Sequence, residues 1–82
     1  MDTRPVYRCQ YRALLQQSDV NIEQLLQASA EKAQALIHDQ KLMTAALYRY
    51  GQQLFLYYEP IGQMLEPERF MSPMTPVLHL WP

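Results

Sequence analysis

The sequence predicts a small α+β domain in which one amphipathic helix packs on an antiparallel sheet. Three observations predict this class. The 82 residues suffice for a single core, one segment carries a helical apolar stripe, and the remaining apolar segments have strand-like patterns. In chain order they give β-α-β-β, a short turn and a last β, which is a split βαβ plan. We treat residues 1–82 as one domain, and the chain as a candidate N-terminal part of a longer protein.

The first predicted strand covers residues 6–15. Apolar-leaning and polar residues alternate there, with Tyr7, Cys9, Tyr11 and Ala13 on one face and Arg8, Gln10 and Arg12 on the other. A period of two is typical of a strand that buries one face. Cys9, the only cysteine, excludes an internal disulfide and is expected to be a buried, unreactive thiol.

The helix is predicted to begin after Asn21, a favourable N-cap residue with Gln24 three positions later, as in a capping box. His38 lies near its end, where a cation complements the helix dipole. Between Asn21 and His38, apolar or small residues recur at spacings of three and four and form one stripe: Ile22, Leu25, Leu26, Ser29, Ala30, Ala33, Leu36 and Ile37.

Residues 43–50 and 54–59 predict an antiparallel hairpin around Gly51. Both faces of this hairpin are apolar, so one can pack on the helix while the other needs a second cover. The first face carries Ala45, Leu47, Leu54, Leu56 and Tyr58, and the second carries Ala46, Tyr48, Tyr50, Phe55 and Tyr57.

The prolines from Pro60 onward exclude a long second helix. Residues 66–71 predict one helical turn with Pro67 at its first position, and residues 77–81 predict a final extended segment. The handedness of crossover connections places the first two strands parallel, with the third strand between them.

Composition excludes several function classes. The net charge of −1 lacks the field that nucleic acids require, so an RNA-binding sheet is the third hypothesis and no nucleic-acid partner is expected. No apolar run reaches the roughly 18 residues of a membrane span, and residues 1–5 do not resemble a signal peptide. We therefore expect a cytoplasmic protein with no membrane partner. His38 and His79 are far apart and Cys9 is alone, so no metal or cofactor is predicted.

The second apolar face of the hairpin predicts a homodimer through the sheet. Covering it removes several hundred Å² of apolar surface, at roughly 25 cal/mol per Å², and soluble monomers rarely expose a patch of that size. A two-fold partner, sheet against sheet, resolves this with a self-complementary interface. The predicted interface residues are Tyr48, Tyr50, Phe55 and Tyr57.

Three segments resemble a known group: residues 7–15 as first strand, residues 22–38 as helix, and Ala45–Tyr48 leading to Leu54–Leu56. This pattern, over residues 6–59, is similar to the dimeric α+β barrel superfamily with its ferredoxin-like plan, and within it to the L-rhamnose mutarotase-like group. The resemblance implies a ferredoxin-like fold, a dimer, and a sugar-like ligand whose anomers are interconverted. The acid–base histidine that this group carries near its first helix has no counterpart in residues 18–24.

The leading hypothesis is therefore a dimerisation and ligand-binding domain with no catalytic signature of its own, and whether it is an enzyme stays open. The alternative is a sugar mutarotase-like isomerase, which needs a proton donor and acceptor beside the sugar ring. The only candidates for those roles are Tyr48, Tyr58, Glu59 and His79.

Overall fold

The computed structural model describes residues 3–16 and 21–80, and for residues 76 and 78–80 it describes the backbone only. It is an α+β fold with one main helix on an antiparallel sheet, as the sequence predicts. In chain order the elements are β1 (Cys9–Leu15), α1 (Ile22–His38), β2 (Leu42–Tyr50), β3 (Gln53–Pro60), α2 (Glu68–Met71), a 3₁₀ helix (Ser72–Val77) and β4 (Leu78–Leu80).

The sheet has the strand order β2-β3-β1-β4, and every neighbouring pair is antiparallel. Strand β3 therefore lies between β1 and β2, which run parallel to each other, as the crossover rule predicts. Strands β2 and β4 form the two edges of the sheet.

The β2–β3 hairpin closes through the two residues that follow Tyr50. Tyr50 pairs with Gln53 across the turn, and Gly51 has a φ of 62°. A positive φ at the first central residue is what a type II′ hairpin turn requires, and glycine adopts it without steric cost. The strands begin at Leu42 and Gln53, one residue earlier than predicted, and β3 extends one residue further, to Pro60.

Both ends of α1 have identifiable caps. At the start, the Asn21 Oδ1 accepts a hydrogen bond from the Glu23 N–H at 3.1 Å. At the end, Gln40 adopts a φ of 60°. Its N–H donates to the Ile37 carbonyl at 3.0 Å, and the Lys41 N–H donates to the Leu36 carbonyl at 2.9 Å. These two bonds are those of a Schellman motif, with glutamine where glycine is usual.

The core lies between α1 and one face of the sheet, which we call the inner face. That face carries the predicted inward residues of all three long strands, and Ala33 of α1 is buried against them. Tyr58 is completely buried; its ring stacks on Tyr11 at a centroid distance of 6.0 Å and meets the edge of Phe70 at 5.1 Å. Cys9 is buried, as predicted.

The segment after Pro67 departs from the prediction in one respect. The single turn α2 forms where it was expected. The short connection that follows it is a 3₁₀ helix, which was not predicted, and β4 begins at Leu78 instead of residue 77. Proline fixes φ near the value that a 3₁₀ helix needs and lacks only an N–H. Met74 and Val77 are fully buried, so this segment completes the core beside α1. Trp81, assigned to the last strand from sequence, lies outside the described residues.

Candidate interaction surface on the outer face of the sheet

The four predicted interface residues lie on the sheet face that points away from α1, which we call the outer face. In the backbone register Tyr48 is opposite Phe55, Tyr57 is opposite Ala46, and Tyr50 is opposite Gln53. Alternate residues of a strand share a face, and Tyr48, Tyr50, Phe55 and Tyr57 alternate in this way. The hairpin thus brings all four together.

The outer face is open. Tyr48 is 64% exposed and Tyr50 is 81% exposed, whereas Phe55 and Tyr57 are half-buried by their neighbours. No helix or strand among residues 3–16 and 21–80 packs across this face. The apolar surface of this face is therefore exposed to solvent as far as the described elements are concerned.

The middle of the outer face forms an open groove of about 740 Å³. Three aromatic side chains of the outer face line it, together with an amide and a guanidinium group: Tyr48, Phe55, Tyr57, Gln10 and Arg12. Tyr11 and Leu56, which belong to the inner face, complete the lining. Strand β1 supplies the polar members because Gln10 pairs with Tyr57 and Arg12 pairs with Phe55. Flat apolar rings next to hydrogen-bond donors suit both a protein interface and a polar small molecule.

A polar cluster lies beyond the groove, on β3 and at the residue before β1. The Tyr57 hydroxyl donates to the Glu59 Oε2 at 2.5 Å, and the Arg8 Nε lies 3.9 Å from the same oxygen. The hydrogen bond to Glu59 raises the pKa of Tyr57, with desolvation adding to it and Arg8 opposing it. Tyr57 thus stays a proton donor to the carboxylate, while its ring faces the groove.

The structure does not bring the four catalytic candidates together. Tyr58 lies on the inner face, where its hydroxyl donates to the Leu65 carbonyl at 2.6 Å and burial raises its pKa. Tyr48 and Glu59 share the outer face, but Tyr48 pairs with Phe55, four residues or about 14 Å along β3 from Glu59. His79 pairs with Leu14 through the backbone, and its side chain lies outside the described part.

Metal-ligating side chains do not cluster in the described part of the chain. No group of three His, Cys, Asp or Glu residues within it could hold an ion. The Cys9 thiol lies 3.2 Å from the Met64 sulfur, so its neighbour is an uncharged thioether. No helix in the same part of the chain is long and apolar enough to cross a membrane.

Sequence reasoning missed a second concavity, a cleft of about 260 Å³ between α1 and β2. Ser29 lines it and is 1% exposed, and its hydroxyl has no hydrogen-bond partner among the described residues. Small residues lie on both sides of the cleft, Ala30 and Ala33 on the helix and Ala45 on the strand. Their positions in the sequence do not show that they meet across α1 and β2, where their small side chains leave a space.

Comparisons of this chain with protein-family models, with curated proteins and with solved structures find no match.

Proposed function

We propose that this chain is a ferredoxin-like domain that forms a homodimer through the outer face of its sheet. The observation that carries the proposal is the open aromatic face, on which Tyr48 and Tyr50 extend into solvent. The strand order β2-β3-β1-β4 with antiparallel neighbours supports the ferredoxin-like plan, although α2 has only four residues.

The chemistry of the face suits a two-fold contact. Tyrosine and arginine are enriched at protein interfaces, where aromatic anchors fill pockets on the partner. A two-fold axis places the same groove on both copies, so Tyr48 of each copy can enter the groove of the other. Arg8 and Glu59, at one end of the face, are suited to the polar rim.

The size of the face sets the expected strength. Three strands about 4.8 Å apart and about eight residues long, at about 3.4 Å per residue, give a flat area of roughly 400 Å². A standard interface buries about 800 Å² on each partner. Even with protruding tyrosines, this contact would be among the smallest protein–protein interfaces, so we expect a dissociation constant on the order of 1–100 μM.

Sedimentation across a concentration series tests the dimer. We expect the weight-average mass to rise from that of one chain at 1 μM towards that of two at several hundred μM. Tyr48→Glu should keep the chain monomeric throughout, because it puts a charge in the centre of the contact. Its matched control is Gln24→Glu, which adds the same charge on an exposed position of α1 and should dimerise normally. A wild-type chain that stays monomeric at 500 μM would refute the proposal.

A second candidate function is binding of a monosaccharide in the groove, with anomer interconversion as the reaction that the mutarotase resemblance implies. The specific support is the combination of three aromatic rings with Gln10 and Arg12 along the groove. Within the outer face, Tyr57 and Glu59 are the hydrogen-bonded acid and base, and they would be the first candidates for proton transfer.

Saturation-transfer NMR with L-rhamnose and D-glucose tests this candidate. Contacts in the wild type that disappear in Arg12→Ala support sugar binding. Exchange spectroscopy between the two anomers then tests the reaction, with Glu59→Gln as the variant expected to slow it. If neither sugar shows contacts at millimolar concentration, the sugar-binding candidate is wrong, and the dimer is unaffected.

A further inference from the structure

We propose that the cleft between α1 and β2 binds a small, uncharged, mostly apolar molecule that carries one hydroxyl group, such as a phenol. The site is distinct from the proposed dimer surface because it lies on the helix side of the sheet. It requires neither a second copy of the chain nor the outer-face groove.

The lining of the cleft defines the polarity of its ligand. Ala33, Ile37, Leu47, Phe70 and Met71 contribute apolar walls. Gln34 and Ser29 are its polar members, and no charged side chain from the described residues lines it. An ion would lose its hydration there without a compensating partner. The ligand must therefore be neutral.

Ser29 determines the polar group that the ligand needs. A buried hydroxyl without a hydrogen-bond partner is unfavourable. The hydroxyl of a serine within a helix commonly finds a partner by donating to the carbonyl four residues earlier. The Ser29 hydroxyl makes no such bond and is shielded from solvent. A rotation about its Cα–Cβ bond, which has three staggered positions, turns it towards a ligand hydroxyl in the cleft.

The volume limits the size of the ligand. A closed apolar cavity of about 150 Å³ is known to hold benzene, so a cleft of about 260 Å³ has room for a six-membered ring with a few substituents. Pockets that bind drug-sized ligands have volumes of about 300–1,000 Å³. A single substituted ring is thus the largest suitable occupant.

Phenol and toluene are the probes, because they differ only in a hydroxyl against a methyl group. Titrations followed by ¹H–¹⁵N NMR should move the amide signals of the cleft with both probes. In Ser29→Ala the phenol affinity should fall about tenfold, which corresponds to roughly 1.4 kcal/mol, while the toluene affinity stays unchanged or rises. The control Ala30→Leu places a larger side chain at the mouth of the cleft and should weaken both probes.

Thermal unfolding separates a binding role for Ser29 from a structural one. Removing an unpartnered buried hydroxyl should raise the melting temperature of Ser29→Ala, whereas loss of a structural hydrogen bond would lower it. The proposal fails if neither probe moves the cleft signals, if Ser29→Ala weakens both probes equally, or if that variant melts earlier than the wild type. The monomeric Tyr48→Glu variant should bind phenol as the wild type does, so this result is independent of the dimer.

Discussion

Gln40 holds a backbone conformation that its side chain disfavours. An L-residue in the left-handed region is strained by roughly 1–2 kcal/mol relative to glycine, yet the two bonds of the Schellman motif need that conformation at Gln40. Gln40→Gly should therefore stabilise the fold by about 0.5–1 kcal/mol, after the greater flexibility of glycine in the unfolded chain is subtracted. Urea unfolding of the wild type and the variant measures this gain in unfolding free energy. Gln40→Ala, which stays strained, is the control and should leave the midpoint nearly unchanged; a lower midpoint for Gln40→Gly contradicts the argument.

Tyr58 makes the stability of the fold sensitive to alkaline pH. Burial raises its pKa above the ordinary value of 10.0, so its stabilising effect is complete below pH 10 and is lost as pH rises above it. Tyr58→Phe leaves the Leu65 carbonyl without its donor and should cost about 1–3 kcal/mol at neutral pH.

The difference in unfolding free energy between wild type and Tyr58→Phe should therefore narrow above pH 10, because only the wild type has this hydroxyl to ionise. Urea titrations followed by circular dichroism from pH 7 to 11.5 measure it. Tyr50→Phe, at an exposed position, is the control and should follow the wild-type curve. A constant difference across the whole range would contradict the role given to burial.

At the scale of elements, one ion pair joins the first turn of α1 to the end of the hairpin. The Arg49 Nη1 donates to the Glu23 Oε1 at 2.8 Å, and the Arg49 Nε donates to the Gly51 carbonyl at 3.2 Å. Both side chains are exposed, so a double-mutant cycle with Glu23→Gln and Arg49→Gln should give a coupling of only about 0.2–1 kcal/mol. In 1 M salt it should approach zero. A coupling above 2 kcal/mol, or one that salt does not change, contradicts this assignment.

The elements that the sequence predicts well are those with local signals. Helix α1 has its predicted bounds because Asn21 caps it and an apolar stripe runs its length. The hairpin forms around Gly51 because the turn requires a positive φ there. The 3₁₀ helix was not predicted because Pro73 and Pro76 were counted only as residues that exclude a long helix. The Schellman end of α1 was not predicted because it carries glutamine instead of glycine.

At the scale of the whole molecule, the sequence predicts which residues share the outer face of the sheet, but it does not predict the cleft on the inner face. The alternation of side chains places Tyr48 and Phe55 on one face whatever the tertiary fold. Whether the catalytic candidates lie close together could not be predicted in this way. Tyr58 belongs to the core, and the distance between Tyr48 and Glu59 depends on the strand register. The cleft at Ser29 depends on how small residues of α1 and β2 meet, which no local pattern encodes.

If the outer faces associate, the stability of the fold must depend on protein concentration. Association favours the folded state by mass action, so the melting temperature of the wild type should rise by several degrees between 5 and 500 μM. Tyr48→Glu should melt at one temperature over that range. Differential scanning calorimetry measures both, and a wild-type melting temperature independent of concentration would argue against association.

Strand β2 has a hydrogen-bonded neighbour on one side only within the described sheet. Half of its backbone amides and carbonyls therefore point outward along nine residues, and such a row can template a further strand from another molecule. Lys41 and Arg49 lie near its two ends, whereas Thr44–Tyr48 carries no charge that would repel an incoming strand. At high concentration this edge can pair with an edge strand of another molecule and extend the sheet sideways, and Thr44→Lys would oppose that pairing.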